Sequence, residues 1–240
     1  MKIEIWSDFV CPFCYIGKRR LENALDKFEY KNEVELVFRS FELDPNAKKE
    51  YKENIHELIA NKYGIPVEQA KASNDQLILQ AKALGLDYKF DDLKPTNTFD
   101  AHRLVHFAKT YGKDKELTER LLKAYFVDSL NLSDHKVLSE LASEVGVDGA
   151  KAIVALESDE YTSEVRLDEQ AASNIGVTGV PFFVFNNKYA VSGAQPPELF
   201  LEVLEKVKSE ELSENSSENI PTADIDSTDS ETCSDGKCSI

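Results

Sequence analysis

The 240-residue chain carries four cysteines, one methionine, one tryptophan and only 28 basic residues against 44 acidic ones. Each shortage excludes something. Four cysteines in a chain this long do not make a disulfide scaffold. A net charge of −16 leaves no basic face for phosphate, so the chain does not read as a nucleic-acid binder. It also argues against attraction to an anionic membrane surface. No apolar run approaches the roughly 20 residues that a membrane span needs. The opening Met1-Lys2-Ile3-Glu4-Ile5-Trp6 is not a signal peptide, because its apolar stretch is short and broken by Glu4 and Asp8. The expected compartment is the cytosol, with no membrane partner. No Gly-rich phosphate loop, Ser-His-Asp order or paired acidic metal motif stands out.

What is present is a globular composition, 42% hydrophobic, enough for a buried core. Ile3–Trp6 alternates with charge and reads as a short strand. A helix is expected from Pro12 or Phe13 to about Phe28, with Leu21, Leu25 and Phe28 as its apolar stripe. Val34–Phe38 is a second, β-rich segment. The middle is helical in character, with candidates at Glu50–Tyr63, Val67–Leu84, Thr98–Tyr111, Lys115–Val127, Lys136–Val145, Ala150–Leu156 and Glu160–Ile175. Gly64, Gly85, Gly112, Gly146 and Gly176 stand at their C-terminal caps. Pro181 then precedes an apolar run, Phe182–Phe185, a turn at Asn186-Asn187-Lys188, and a second strand, Tyr189–Ser192. Pro196 and Pro197 open a last helix to about Val207. The ends thus read βαβ and ββα with helices between. The expected fold class is α/β. Residues 1–45 and 176–208 form the α/β domain, and residues 46–175 form a helical insertion.

Residues 209–240 hold nine acids against Lys237 alone, a net of −8 that is half of the chain's excess. They also hold eight serines and no aromatic residue. Such a segment cannot bury enough apolar surface to offset its ordering entropy, so a disordered acidic tail is expected from 209 to 240.

The cysteines form two close pairs, Cys11/Cys14 and Cys233/Cys238. Cys11-Pro12-Phe13-Cys14 follows a predicted strand and opens a predicted helix. Cys11 is then placed at a helix N-terminus, where free N–H groups and the dipole favour a thiolate. The thiolate is the nucleophile of disulfide exchange. Cys14, one turn on and more buried, can close the ring and release a mixed disulfide. The spacing supplies an attacker and a resolver. Half of a zinc site is the competing reading, but a tetrahedral site needs four ligands. The only other pair is remote, and none of His56, His102, His106 and His135 completes a ligand spacing. The strand–loop–helix context favours redox chemistry.

With these residues in place, the chain resembles the DsbA-like thioredoxin-fold proteins. The resemblance covers about residues 1–208. It rests on Cys11-Pro12-Phe13-Cys14 after the first strand, the helical insertion, and Gly179-Val180-Pro181 before the hairpin. Ser7-Asp8-Phe9-Val10 ahead of the cysteines, and Asn97-Thr98-Phe99-Asp100-Ala101-His102-Arg103-Leu104, resemble the FrnE-like cytosolic oxidoreductases. That branch is related to the 2-hydroxychromene-2-carboxylate isomerases. The resemblance implies a thioredoxin-like fold and a cis Pro181 facing the thiols. It also implies a Val180 backbone that pairs with an extended substrate, with Pro12 and Phe13 beside it. An X–Pro bond is the cheapest place for cis, although an ordinary trans loop proline fits the residues equally well. Two departures matter. Strongly oxidising relatives carry His where this chain has Phe13, so a less oxidising, reductase or isomerase type of pair is expected. The isomerase branch has serine in place of the first cysteine and uses glutathione, whereas this chain keeps both cysteines.

The expected function is therefore thiol–disulfide exchange by Cys11 and Cys14 on a thiol- or disulfide-containing protein or small molecule. No cofactor is expected beyond the redox-active disulfide, with glutathione or another low-molecular-weight thiol as co-substrate. The alternatives are a glutathione-dependent isomerase or transferase and a zinc-binding or chaperone-like module. Cys233 and Cys238 flank an Asp-Gly turn signal and can close a small loop. Some FrnE-like proteins carry such a pair, which makes them candidates for a redox relay. A random coil from Ser209 to Thr232 spans roughly 25 Å, enough to reach the first pair. An inert tail fits equally well. Asp8 reads as a solvated loop acid unless buried, where it could serve Cys14. His102 and Arg103 read as groove-lining or helix-surface residues. Oligomeric state is not legible.

Overall fold

A computed structural model of the chain describes residues 1–217. Among these residues lie four strands and nine α-helices. The order is β1 (Lys2–Ser7), α1 (Pro12–Lys27), β2 (Glu35–Ser40), α2 (Ile55–Tyr63), α3 (Val67–Lys82), α4 (Phe99–Lys109), α5 (Asp114–Phe126), α6 (His135–Glu144), α7 (Gly149–Leu156), α8 (Thr162–Asn174), β3 (Phe182–Phe185), β4 (Tyr189–Ser192) and α9 (Pro197–Ser217).

The sheet order is β2-β1-β3-β4. β1 runs parallel to β2, pairing Ile5 with Phe38, and antiparallel to β3, pairing Ile5 with Phe183. β3 and β4 close as an antiparallel hairpin. Alternation along β1 sends Ile3 and Ile5 to one face, where they meet Leu21, Phe28, Phe183, Phe185, Phe200 and Leu204 of α1, the hairpin and α9. Phe183 and Phe200 meet edge to face, with ring centroids 4.8 Å apart, a geometry contributing about 1 kcal/mol beyond area burial. Trp6 faces the other way, onto Ala172 of α8 and Val177. Its indole N–H donates to the Asp168 carbonyl at 2.9 Å. The helices between β2 and β3 build their own core around Leu104, Leu117, Leu121, Tyr125, Phe126 and Leu138. This is the α/β arrangement that the sequence pattern predicts and the thioredoxin-like fold that the resemblance implies.

Two boundaries differ from expectation. The second helix starts at Ile55 rather than Glu50, because Asn54 and Glu57 form a reciprocal capping box. The last helix runs to Ser217, so residues 209–217 are helical rather than disordered. Their acids are not left to repel one another. Glu211 accepts from the Asn186 amide at 2.7 Å, Glu210 accepts from the Tyr189 hydroxyl, and Glu214 pairs with Lys188 at 2.6 Å. The hairpin thus supplies partners that composition alone does not show. The rest of the expected tail, with Cys233 and Cys238, lies outside the described residues.

Candidate active site

Cys11 is the N-cap of α1 and Pro12 its first residue, where a missing N–H costs nothing. Both thiols are free and buried. Cys11 is 4% and Cys14 2% exposed, whereas Phe13 between them is 44% exposed. The expected contrast in burial between the cysteines is therefore slight, and the exposed feature of the motif is the phenyl ring. The Cys11 thiol faces the Val180 carbonyl at 3.4 Å. The Val180–Pro181 peptide bond is cis. Gly17 of α1 makes room for this loop: a Cβ there would stand 3.0 Å from Pro181 Cγ and 3.2 Å from Phe183 Cζ. The structure thus brings Cys11, Cys14, Pro12, Phe13, Val180 and Pro181 to one place.

Asp8 brackets the pair. Its carbonyl accepts from the Cys11 amide at 3.2 Å, and its own amide points at Cys14 Sγ at 3.5 Å. Burial and the adjacent Cys11 push the Cys14 thiol well above its ordinary range, and hydrogen bonds from the Ser7 hydroxyl and the Asp8 amide only partly oppose this. Cys14 is therefore a protonated thiol at neutral pH. The Asp8 side chain is not the solvated loop acid expected from sequence. It is 1% exposed, and its Oδ2 accepts from the Leu43 amide at 2.8 Å.

His102 and Arg103 are buried rather than on the helix surface, at 3% and 5% exposed, and His102 lines a small cleft with Ser7, Ser40 and His106. The guanidinium of Arg103 bonds Asp100 and the carbonyls of Ala155, Leu156, Ser158 and Glu160. That makes it a cap for the end of α7. His102 lies against Phe9, with ring centroids 4.7 Å apart, and its Nε2 is 3.4 Å from Asp8 Oδ1. Sequence reasoning missed two further neighbours, Ser7 and Tyr88. The Tyr88 hydroxyl donates to the Pro12 carbonyl at 2.8 Å. Nothing local marks a tyrosine so far along the chain as part of the motif. Among the described residues no group of three or more His, Cys, Asp or Glu side chains is placed to hold a metal ion. Nor is any helix there long and apolar enough to cross a membrane.

A buried dithiol at a helix N-terminus, opposed by a backbone carbonyl, is suited to disulfide exchange. The comparisons with known proteins point the same way. The family model of the DSBA-like thioredoxin domain matches residues 2–205. The uncharacterized protein YwbO of Bacillus subtilis (strain 168) is 32% identical over 203 residues, 82% of this chain and 92% of YwbO. A probable DsbA oxidoreductase from Streptomyces coelicolor is 39% identical, with a TM-score of 0.84 over 100% of this chain and 99% of its own. The cytosolic disulfide reductase DsbM of Pseudomonas aeruginosa shares the fold at 14% identity, with a TM-score of 0.61 over 86% of this chain and 98% of DsbM.

Proposed function

Since the chain belongs to the family of DSBA-like thioredoxin-domain proteins, we propose that it is a thiol–disulfide oxidoreductase of the reductase or isomerase type, with Cys11 as nucleophile and Cys14 as resolving thiol. The observation that carries this reading is the pair itself. Cys11 caps α1, and Cys14 sits within hydrogen-bonding reach of it, buried and protonated. The Cys11 thiolate attacks a substrate disulfide, forms Cys11–S–S–R and releases the other half as a thiolate. Cys14 then attacks Cys11, forming the internal disulfide and releasing RS⁻. The reverse sequence oxidises a substrate dithiol. Val180, Pro181, Pro12 and Phe13 form the substrate-facing rim. Phe13 supplies an apolar contact in place of a charge, which favours a reducing rather than strongly oxidising poise. Glutathione or another low-molecular-weight thiol serves as co-substrate, and the protein works in the cytosol as a FrnE-like member of the family. Cys233 and Cys238 exchange disulfides with the first pair.

The test is a redox titration in glutathione buffers, quenched by alkylation and read by peptide mass. A reversible Cys11–Cys14 disulfide is expected, and its midpoint separates reductase from oxidant. The state of Cys233 and Cys238 in the same samples reads the relay. No Cys11–Cys14 disulfide at any poise would overturn the reading. A glutathione-dependent isomerase, in which Cys11 only activates a bound thiol, would instead keep its turnover in Cys14→Ser.

A further inference from the structure

The Cys11 thiolate needs a donor when it forms. The Cys11 thiol faces the Val180 carbonyl at 3.4 Å, and as N-cap it makes no side-chain bond to α1. A thiolate has no proton to give that carbonyl and can only accept. A helix offers its N-cap side chain the amides of its second and third residues, here Phe13 and Cys14. The Cys14 amide is already given to the Cys11 carbonyl at 3.0 Å, and the Cys11 amide to the Asp8 carbonyl at 3.2 Å. Pro12 has no N–H. No hydrogen bond among the described residues uses the Phe13 amide, so it is the donor left open at this end of the helix.

The Phe13 amide shares one peptide group with the Pro12 carbonyl. That carbonyl accepts from the Tyr88 hydroxyl at 2.8 Å. A donor on the oxygen of a peptide group polarises the whole group, and its N–H then bonds more strongly, by roughly 10–30%. Tyr88 is buried, and the helical part of the molecule fixes its place. Its ring stacks on Phe126 of α5 at 4.6 Å and meets Phe90 edge to face at 5.9 Å. The next amide, of Lys89, donates to the Phe126 carbonyl at 2.8 Å. The ionisable groups facing Tyr88 are Tyr15, Cys11, Cys14 and Arg19. Tyr15 donates to Glu119 of α5 at 2.7 Å, and Arg19 pairs with Glu22 at 2.6 Å and with Glu119. Among the described residues no other side chain bonds the Pro12 carbonyl.

We propose that Tyr88 is a positioning residue of the dithiol. Through the Pro12–Phe13 peptide group it strengthens the amide that receives the Cys11 thiolate, which raises the reactivity of Cys11 and favours the reduced pair. The proposal rests on the oxidoreductase reading and deepens it, because the poise of the pair is then set in part from the helical insertion, 76 residues along the chain.

The experiment uses the full chain in three forms. One is the parent. One is Tyr88→Phe, which keeps the ring and loses the hydroxyl. The third carries 3-fluorotyrosine at position 88, whose phenol is the stronger donor on the same ring. Iodoacetamide labelling of the reduced proteins from pH 4 to 9, read by peptide mass, gives the pH profile of Cys11. In Tyr88→Phe the profile should move up by about 0.3–0.5 pH unit, the size expected when a bond to a charged group loses roughly 10–30% of its strength. With 3-fluorotyrosine it should move down. In glutathione buffer at pH 8 the Tyr88→Phe pair should lie about two- to threefold further toward the disulfide, the same shift read as a ratio. A Tyr88→Phe profile that does not move up would overturn the proposal. So would profiles that move the same way in both variants, since packing rather than the donor would then be at work. If Tyr88→Phe does not fold, the 3-fluorotyrosine protein decides by the direction of its shift. A parent that forms no reversible Cys11–Cys14 disulfide, with the profiles still shifted in opposite directions, would overturn the oxidoreductase reading alone.

Discussion

The Tyr88 hydroxyl donates a 2.8 Å hydrogen bond to the Pro12 carbonyl, 76 residues away in the chain. It ties the CPFC turn to the helical part of the molecule. Tyr88 stacks on Phe126 at 4.6 Å between centroids and on Tyr15 at 6.2 Å. Burial, with smaller effects from Tyr15, Cys11 and Cys14, pushes its phenol far up. The hydroxyl therefore stays a donor at every working pH. Tyr88→Phe is expected to cost about 1 kcal/mol, the usual net value of one hydrogen bond. Tyr88→Ala is expected to cost about 3–5 kcal/mol through the lost ring. Urea unfolding of the two variants checks this, and a Tyr88→Phe protein as stable as the parent would show that the bond itself counts for nothing.

Cys14 is the thiol that should resist alkylation. Burial and Cys11 raise its titration well above the ordinary range, so the reactive thiolate is scarce near pH 7. Iodoacetamide applied to the reduced protein at pH 7 should label Cys11 first, with Cys14 following only in alkaline buffer. Peptide mass after a time course reads the order. Equal labelling at pH 7 would contradict the buried, protonated Cys14.

Phe13 is the exposed residue of the motif, at 44%, and it carries no charge. Phe13→His places an imidazole beside Cys11, where a partial positive charge favours the thiolate and hence the reduced form. The reduction potential should rise by about 30 mV or more, the step that corresponds to about 1.4 kcal/mol for a two-electron couple. Glutathione-buffer titration of the variant measures it, and no movement would show that this position does not set the poise.

The parts of this molecule that were legible in the sequence are those that local pattern controls. The CPFC motif, the hairpin at Phe182–Phe185 and Tyr189–Ser192, and the helices behind Gly64, Gly85, Gly112, Gly146 and Gly176 need only periodicity and left-handed glycines to be read. The bounds of the second helix were also legible, in the Asn54/Glu57 box, but apolar spacing from Glu50 masked them. What stayed hidden depends on tertiary burial. Asp8 looks like a loop acid until the Leu43 amide and His102 close over it. His102 and Arg103 look like surface residues because a helix interior and a helix face share one spacing. Tyr88 carries no local signal at all, and Ser7 is legible only as part of the stretch ahead of the cysteines. The acids at 210, 211 and 214 read as disorder because their partners lie on the hairpin.

Those acids make a prediction about length. A chain ended at residue 208 loses the Glu210–Tyr189, Glu211–Asn186 and Glu214–Lys188 contacts, whereas a chain ended at 217 keeps them. The shorter chain should melt a few degrees lower, in line with a loss of about 1–2 kcal/mol for three partly exposed contacts. Equal melting temperatures would mean that residues 209–217 add nothing to the fold.

Asp168 should set the acid limit of stability. It is 3% exposed, and burial alone would raise its carboxyl. The His106 bond, the Ser40 amide at 3.0 Å and the Arg39 guanidinium at 2.9 Å outweigh that and hold it below its ordinary value. A carboxyl lowered in the folded state binds fewer protons there than in the unfolded chain. Its contribution is full well above the unfolded value of about 3.9 and is lost as pH falls through the lower folded one. Asp168→Asn removes the charge, leaves Arg39 with Glu4 as its remaining partner, and releases α8 from β2. A loss of about 3 kcal/mol at pH 7 is expected, at the low end for breaking a buried pair because Arg39 stays partnered. The deficit should shrink as pH falls below 4, since the native carboxylate is then being protonated as well. Denaturant unfolding of both proteins at pH 7, 5 and 3 gives the comparison. A deficit that does not shrink in acid would place the effect in packing rather than in the Asp168 charge.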